Sequence, residues 1–595
     1  MCGIFGYVGK ENALPFLFSG LKKLEYRGYD SSGVAFFEKT NIKIIKEVGK
    51  VDNLKNKLNF FVQSNCGIAH TRWATHGKPD LINCHPHIAG DFVLVHNGII
   101  ENYEELKKQF KNELYSQTDT EIIAKIINKN FKKNDKKFEK NKEKNILKSI
   151  MDTQKELKGS WAVALIYKKT PNNIFVFKNE SPLSVGASQD FNAICSDITA
   201  IDELFEEKNI NNFSLFNLKN YEIAMINNDF IEFYNKNLKK IKKNTIKINS
   251  KIKNNNQKNF KHYMEKEINE ISDSVYLAIN EKYDNDLLNA IKNATCFSFI
   301  GCGTAYHACL IGKFLFEKFL NKKVSVELAS EFRYNHNIFS EGEMVIGVSQ
   351  SGETADTIAG LKLAKEKKLK AVVITNNENS TITEISDFVI SLKTGREIGV
   401  AATKSFNSQI AAFINLIAQL CDYVYDKEDF KQKLKKEIEK FSHEELYSGL
   451  FDMQKFFFIG RGQDSIIAKE AALKLKEISY VHAEGYAAGE LKHGTLSLLD
   501  ENALVIAIIT QSSLVEKTLN AAFESKARDA KTMIISQFDS LKNSADYFFK
   551  LEDFDENFMS ELSIIPLQYF AYFMSCHKGF DPDKPRNLAK SVTVE

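Results

Sequence analysis

Over the first 235 residues the apolar positions fall in short runs broken by turn residues. Segments 4–8, 33–37, 41–48, 67–71, 92–96, 161–167 and 174–178 are rich in β-branched and aromatic side chains, a pattern that predicts strands. Apolar spacings of three and four over 11–25, 101–112 and 118–130 predict helices, the last opening with the acidic pair Asp119 and Glu121. These elements make a mixed α+β domain over residues 2–235. Within it, the stretch FKKNDKKFEKNKEKNILK (131–148) mixes lysine, asparagine and acid and reads as a solvated insertion. A second lysine- and asparagine-rich run, 236–262, reads as a hydrophilic linker. Arginine and aromatic residues are too scarce there to favour an RNA-binding arm.

Beyond the linker a helical pattern begins at His262, and strand-like and helix-like segments alternate to the end of the chain. This half repeats itself. FSFIGCG (297–303) matches FFFIGRG (456–462), and ASEFRY (329–334) matches AGELKH (488–493), both 159 residues apart. At an offset of about 160, VIGVSQSG (345–352) falls on VIAIITQSS (505–513) and VVIT (372–375) on TMII (532–535). Matches in one register imply two copies of one α/β domain, over 263–440 and 441–580, each with a parallel, doubly wound sheet. Residues 581–595 form a tail.

Composition changes this picture little. A chain of 595 residues with 43% hydrophobic and 26% charged residues is an ordinary globular protein of several domains. The formal net charge of +3 gives no footprint for nucleic acid. The nine cysteines are scattered without a CxxC pair, which suits a reducing compartment, and no apolar run is long enough to span a bilayer. A cytoplasmic protein without nucleic-acid or membrane partners is expected.

The candidate chemistry begins at MCGIFGYVG (1–9). A cysteine behind the initiator methionine could become the first residue, with its own α-amine as the base for its thiol. HTRWATHG (70–77) offers Arg72, whose planar fork suits a carboxylate. In HNGIIENYEEL (96–106), Asn97 and the Gly98 N–H are expected to leave a strand at a turn, as an oxyanion hole needs. In TDTE (118–121), Asp119 could hold an ammonium or cap its helix. In the repeated half, SQSGET (349–354) follows a strand and precedes a helix, so its hydroxyls and amides could surround a phosphate. The second copy has TQSSL there, without the glycine, which places the phosphate in copy one. Glu470, Lys474 and Glu477 share one helical face, usually a solvated ion-pair row. His493 can exchange protons near neutral pH, and Lys590 lies in the tail PRNLAKSVTVE (585–595).

Together with EYRGYDSSG (25–33), the N-terminal motifs resemble the glutaminase domain of class II glutamine amidotransferases, and the repeated half resembles sugar isomerase (SIS) domains. The resemblance implies an α+β N-terminal-nucleophile fold of αββα layers, followed by two α/β SIS domains. It further implies Cys2 as nucleophile, Asn97 and Gly98 as oxyanion hole, Arg72 and Asp119 as ligands of glutamine, and Trp73 as gate of an ammonia channel. In the sugar site it implies Thr304, Ser349, Gln350, Ser351, Thr354, Val400 and Ala589 around the phosphorylated sugar. His493 would assist ring opening, Glu477 with Lys474 would move a proton between C1 and C2, and Lys590 would engage the C2 carbonyl. Ala305, Ala402 and Thr495 depart from the residues usual at those positions. The joined modules imply transfer of nitrogen from L-glutamine to D-fructose 6-phosphate, giving D-glucosamine 6-phosphate and L-glutamate. A homodimer is implied, and no metal or organic cofactor. Two rival readings are a glutaminase serving another sugar phosphate and a non-catalytic sugar-phosphate sensor.

Overall fold

A computed structural model of the chain describes residues 2–74, 76–110, 113–138, 141–208, 210, 212–246, 260–335 and 338–593. Met1, residues 139–140 of the mixed-charge stretch and residues 247–259 of the expected linker lie outside them. The chain forms two compact units, Met1–Lys251 with Ser591–Glu595, and Ile252–Lys590.

The first unit holds two seven-stranded antiparallel sheets. One has Gly3–Gly9 near its middle, between Phe191–Cys195 and Cys66–Arg72. The other is centred on Ile174–Asn179, Gly159–Tyr167 and Phe92–Ile100. Side chains alternate across each strand and so feed two cores. From the first strand, Ile4 and Val8 join Val93, Val95, Ala162 and Ala164 between the sheets. Phe5 and Tyr7 face the other way, onto helices Ala13–Leu24 and Ile198–Glu207. The second sheet's outer face, including Phe92, Leu94 and Trp161, is covered by helices Asp119–Phe138 and Lys142–Glu156. The result is the four-layer αββα sandwich.

Two expectations for this unit change. The mixed-charge stretch 131–148 is no solvated insertion but the end of one helix and the start of the next. Phe131, Ile146, Leu147 and Ile150 are buried under it. Two of its asparagines are used internally: Asn134 Nδ2 donates to Asp152 Oδ2 at 3.3 Å, and Asn145 Nδ2 to the Phe131 carbonyl at 3.2 Å. The expected turn at Asn97 and Gly98 is also absent. The strand runs on to Ile100, with Asn97 opposite Ala162 and Gly98 opposite Trp161. Gly98 permits this because its φ is +134° and a Cβ there would lie 2.1 Å from the Ser160 carbonyl oxygen.

The second unit holds two five-stranded parallel sheets of identical strand order. The first runs Val324–Leu328, Phe297–Gly301, Met344–Val348, Lys370–Thr375, Phe388–Ser391. The second runs Ala483–Ala487, Lys455–Gly460, Ala503–Ile508, Lys531–Ser536, Tyr547–Lys550. Phe297 pairs with Val324 as Phe456 pairs with Ala483, at the same spacing of 159 seen in the sequence. One continuous apolar core joins the copies through helices Thr304–Leu320, Lys404–Cys421, Gln463–Ser479 and Ile565–His577. Helix Thr304–Leu320 packs on helix Gln463–Ser479, which brings the first copy's strand-end chemistry against the second copy's polar helix face.

Candidate active sites

In the first unit Cys2 sits just before the first strand, half-buried, with Sγ 3.3 Å from the Trp73 N–H and 3.5 Å from the Trp73 carbonyl. Burial pushes the thiol pKa up, opposed by the Trp73 N–H and the Arg72 charge. The Cys2 carbonyl accepts from Asn97 Nδ2 at 3.0 Å and Arg27 Nε at 3.2 Å. The Asn97 amide has its orientation fixed from the other side. His70 Nε2 lies 2.9 Å from the His96 carbonyl and 3.1 Å from Asn97 Oδ1. Both are acceptors, so Nε2 carries the proton, and the amide nitrogen is left facing Cys2. Burial holds His70 neutral, with its pKa lowered to about 3.

Arg72 ends the strand Cys66–Arg72, and its guanidinium donates to the carbonyls of His76, Gly77 (3.1 Å) and Lys78 (3.3 Å). It holds a loop here rather than an acid. Asp119 opens its helix, and its Oδ2 accepts the Ile100 N–H at 3.0 Å. Cys2, Arg72, Trp73, Gly98 and Asp119 line one small cavity of about 20 Å³, which also touches His76 and His96. The structure therefore brings the six N-terminal candidates together, Asn97 through its bond to Cys2 O. His70 opens the HTRWATHG motif but carries no catalytic signature there. A histidine beginning a β-strand motif carries no sign that its ring will face the next strand's amide.

In the second unit the SQSGET loop follows strand Met344–Val348 and leads into helix Ala355–Glu366. Ser349 Oγ and Thr354 Oγ1 are 2.9 Å apart, and Ser349 Oγ accepts the Gly352 N–H at 3.1 Å. Gly352 has φ +68°, and a Cβ there would meet Ser380 Oγ at 2.0 Å. Ser351 Oγ accepts the Glu353 N–H at 3.2 Å, and the Gln350 carbonyl accepts the Asn376 N–H at 3.1 Å. The matching loop of the second copy is filled from within. Asp464 takes the Thr510 N–H at 2.8 Å and the Thr510 hydroxyl at 2.5 Å. The residue matching Asp464 in copy one is Ala305, which has no carboxylate to fill that loop.

The Glu470, Lys474, Glu477 face is buried at its first two members, not solvated. Lys474 Nζ is 2.6 Å from Glu477 Oε2, 3.4 Å from Glu470 Oε1 and 2.9 Å from Thr304 Oγ1. Thr304 donates to Glu470 Oε1 at 3.0 Å, and His307 Nδ1 is 2.6 Å from Glu470 Oε2. Lys590 is buried against Glu397, which also accepts Thr403 N–H (3.0 Å), Ser405 N–H (3.1 Å) and Ser405 hydroxyl (2.6 Å). Burial alone would raise the Glu397 acid, but Lys590 and these donors pull it down to about 2. Val400 lies three residues on, its N–H donating to the Asp583 carbonyl at 3.2 Å, and Ala589 is half-buried beside Lys590. Glu397 was not singled out in the sequence, although it is the only acid in TGREIGVAATK. His493 stands apart: it ends the short helical segment Ala488–His493, is exposed, and makes no hydrogen bond or ion pair among the described residues.

A half-buried second-residue cysteine in an αββα sandwich, and a duplicated parallel-sheet unit with one glycine-containing hydroxyl loop, define the class: a class II glutamine amidotransferase domain carried with a pair of SIS domains. Residues 83–203 match the glutamine amidotransferase domain family, and residues 291–419 and 449–578 each match the SIS domain family. The chain is 37% identical over 632 residues to the glutamine–fructose-6-phosphate aminotransferase (isomerizing) of Caldanaerobacter subterraneus subsp. tengcongensis, covering all of both chains. It is 38% identical over 621 residues to the protein of that name from Thermococcus kodakarensis, again over both full lengths. Among solved structures, the C-terminal domain of glucosamine-fructose-6-phosphate aminotransferase from Francisella tularensis matches with TM-score 0.50 and 33% identity, over 56% of this chain and 99% of that one. The chain belongs to the glutamine–fructose-6-phosphate aminotransferase (isomerizing) family.

Proposed function

We propose that the protein transfers the amide nitrogen of L-glutamine to D-fructose 6-phosphate with isomerisation, yielding D-glucosamine 6-phosphate and L-glutamate. The observation that carries this reading is the pairing, in one chain with full-length relatives of that activity, of a thiol cavity lined by Arg72, Gly98 and Asp119 with a buried Lys590 in the SIS unit.

In the first half-reaction, Cys2 Sγ bonds to the carboxamide carbon while the α-amine of a chain starting at Cys2 takes the thiol proton. The raised thiol pKa makes such a base necessary. Asn97 Nδ2 and the Gly98 N–H hold the oxyanion. Its collapse expels ammonia and leaves a thioester, which water cleaves to glutamate. Arg72 exchanges its loop carbonyls for the substrate carboxylate, Asp119 takes the ammonium, and Trp73 guards the passage of ammonia.

In the second half-reaction, Ser349, Gln350, Ser351 and Thr354 hold the phosphate, with Thr304, Val400 and Ala589 around the sugar. Lys590, its proton given up to solvent as it leaves Glu397, condenses with the C2 carbonyl, whose oxygen departs as water; ammonia displaces the lysine amine from that imine, and Glu477 carries a proton from C1 to C2, with Lys474 placing its carboxylate. His493, exposed and without a hydrogen-bond or ion-pair partner among the described residues, opens the sugar ring in the site of a second copy, which makes a homodimer the working form. All nine cysteines are free, in keeping with a cytoplasmic setting.

The test is product analysis by mass after incubation with glutamine and a panel of hexose and pentose phosphates. An aminohexose phosphate from fructose 6-phosphate is expected. Glutamate release with an amine on some other sugar, or on none, would overturn the assignment.

A further inference from the structure

The second SIS domain has a polar cavity that the reaction does not use. It measures about 220 Å³ and is lined by Arg461, Lys492, Lys517, Asn520 and Glu524 with two alanines. It lies where ligands of doubly wound sheets bind, beyond the carboxyl ends of strands: Arg461 follows strand Lys455–Gly460, Lys492 follows Ala483–Ala487, and Lys517 and Asn520 stand on the helix after Ala503–Ile508.

Its charges do not balance. Glu524 lies 3.5 Å from Lys492 Nζ and offsets that lysine. Arg461 and Lys517 make no hydrogen bond or ion pair among the described residues, and Arg461 Nε is buried without an acceptor. A guanidinium donor removed from water without a partner is a cost that a bound anion relieves. The first copy treats the same place differently. Its matching residues are Cys302, Arg333, Thr357 and Gly360, and there Arg333 has Asp356 at 3.9 Å and the Tyr334 hydroxyl at 3.1 Å. The copy whose hydroxyl loop is already filled by Asp464 is therefore the one that leaves cations open beside it.

We propose that Arg461, Lys517, Asn520 and Lys492 form a second anion site, one that binds a phosphate-bearing small molecule through the arginine fork and the two ammonium groups. Lys492 and His493 are neighbours on the single segment Ala488–His493, so an occupied site holds the segment that presents His493. The regulatory consequence rests on the role assigned to His493; the binding does not.

The experiment is lysine acylation of the full-length protein, mapped by mass spectrometry, with inorganic phosphate or sorbitol 6-phosphate as probe. Either probe is expected to protect Lys517. The concentration needed should rise at least about tenfold in Arg461→Gln and stay unchanged in Thr354→Val, which alters only the first copy's loop. Stronger protection by sorbitol 6-phosphate assigns the site to a phosphate ester, and equal protection to inorganic phosphate. Three results would overturn the proposal: no protection, protection indifferent to Arg461→Gln, or protection without probe that grows with protein concentration, which would mean a second copy covers the cavity. Because the readout is binding, it stands whether or not the protein makes an aminohexose phosphate.

Discussion

His70→Phe tests how the oxyanion amide is oriented. The substitution keeps an aromatic ring stacked on His85, whose centroid is 4.0 Å away, and removes the Nε2–H shared by the His96 carbonyl and Asn97 Oδ1. Asn97 then keeps the bond from Nδ2 to the Cys2 carbonyl but loses the second bond, at Oδ1, that fixes the same orientation. A net neutral hydrogen bond is worth about 0.5–1.5 kcal/mol, so the bias toward the productive orientation falls by roughly 2- to 13-fold. Removing an oxyanion donor outright costs about 10²–10³ in kcat. The expected result is thus a kcat for glutamate release lowered by at most about 13-fold, well short of the loss in Asn97→Ala. KM for glutamine should hold, because Arg72 and Asp119 are untouched. The effect should be flat from pH 6 to 9, since burial keeps His70 neutral with its pKa near 3. Steady-state glutaminase kinetics with kcat and KM resolved, beside a thermal melt, provide the check. An unchanged kcat with a lower melting temperature would refute the positioning role and leave His70 as packing.

Further consequences can be measured separately. Gly98→Ala forces a Cβ to within 2.1 Å of the Ser160 carbonyl oxygen at φ +134°, and should destabilise the first unit by about 2–4 kcal/mol with loss of glutaminase, read by calorimetry and glutamate release. Glu397→Gln leaves the buried Lys590 ammonium without its carboxylate, a loss on the order of 3–5 kcal/mol; aminohexose phosphate formation should fall while glutaminase persists, and equal loss of both would contradict the assignment. Ala305→Asp copies the second domain's self-filled loop into the first and should raise KM for fructose 6-phosphate by about tenfold or more without changing KM for glutamine. Finally, His70, His85, His87 and His96 are all buried with lowered pKa values. Their stability contribution is complete above the unfolded histidine value of about 6.5 and is lost as pH falls toward the folded values, so the melting temperature should drop between pH 7 and 5, and a flat profile would be evidence against it.

Much of this was legible in the chain. Long β-branched runs such as 41–48 and the 159-residue repeat survive in the structure because period-2 burial and doubled topology leave direct marks on sequence. The short strands Ser184–Ala187, Ser214–Asn217 and Ile231–Tyr234 leave none, since four residues show barely two turns of alternation. At Gly98 the glycine was read as a turn when its φ serves a close pass against the facing strand. Around 131–150 the lysines hid the apolar positions of two helices, Phe131 on one and Ile146 and Ile150 on the next, whose long neighbours stay in water while these pack. Glu397 and His70 were invisible for another reason: each acts through a residue distant in sequence, 193 positions for Glu397 and Lys590 and 27 for His70 and Asn97.

The central claim is that nitrogen freed by Cys2 is the nitrogen that reaches the sugar. It is tested most directly by supplying amide-¹⁵N glutamine and fructose 6-phosphate in the presence of excess unlabelled ammonium and reading the product mass. An aminohexose phosphate carrying ¹⁵N well beyond the label in the bulk ammonium pool is expected, and none from Cys2→Ala with glutamine as the only nitrogen source. Product labelled only in proportion to that pool, or glutamine-dependent product from Cys2→Ala, would contradict it.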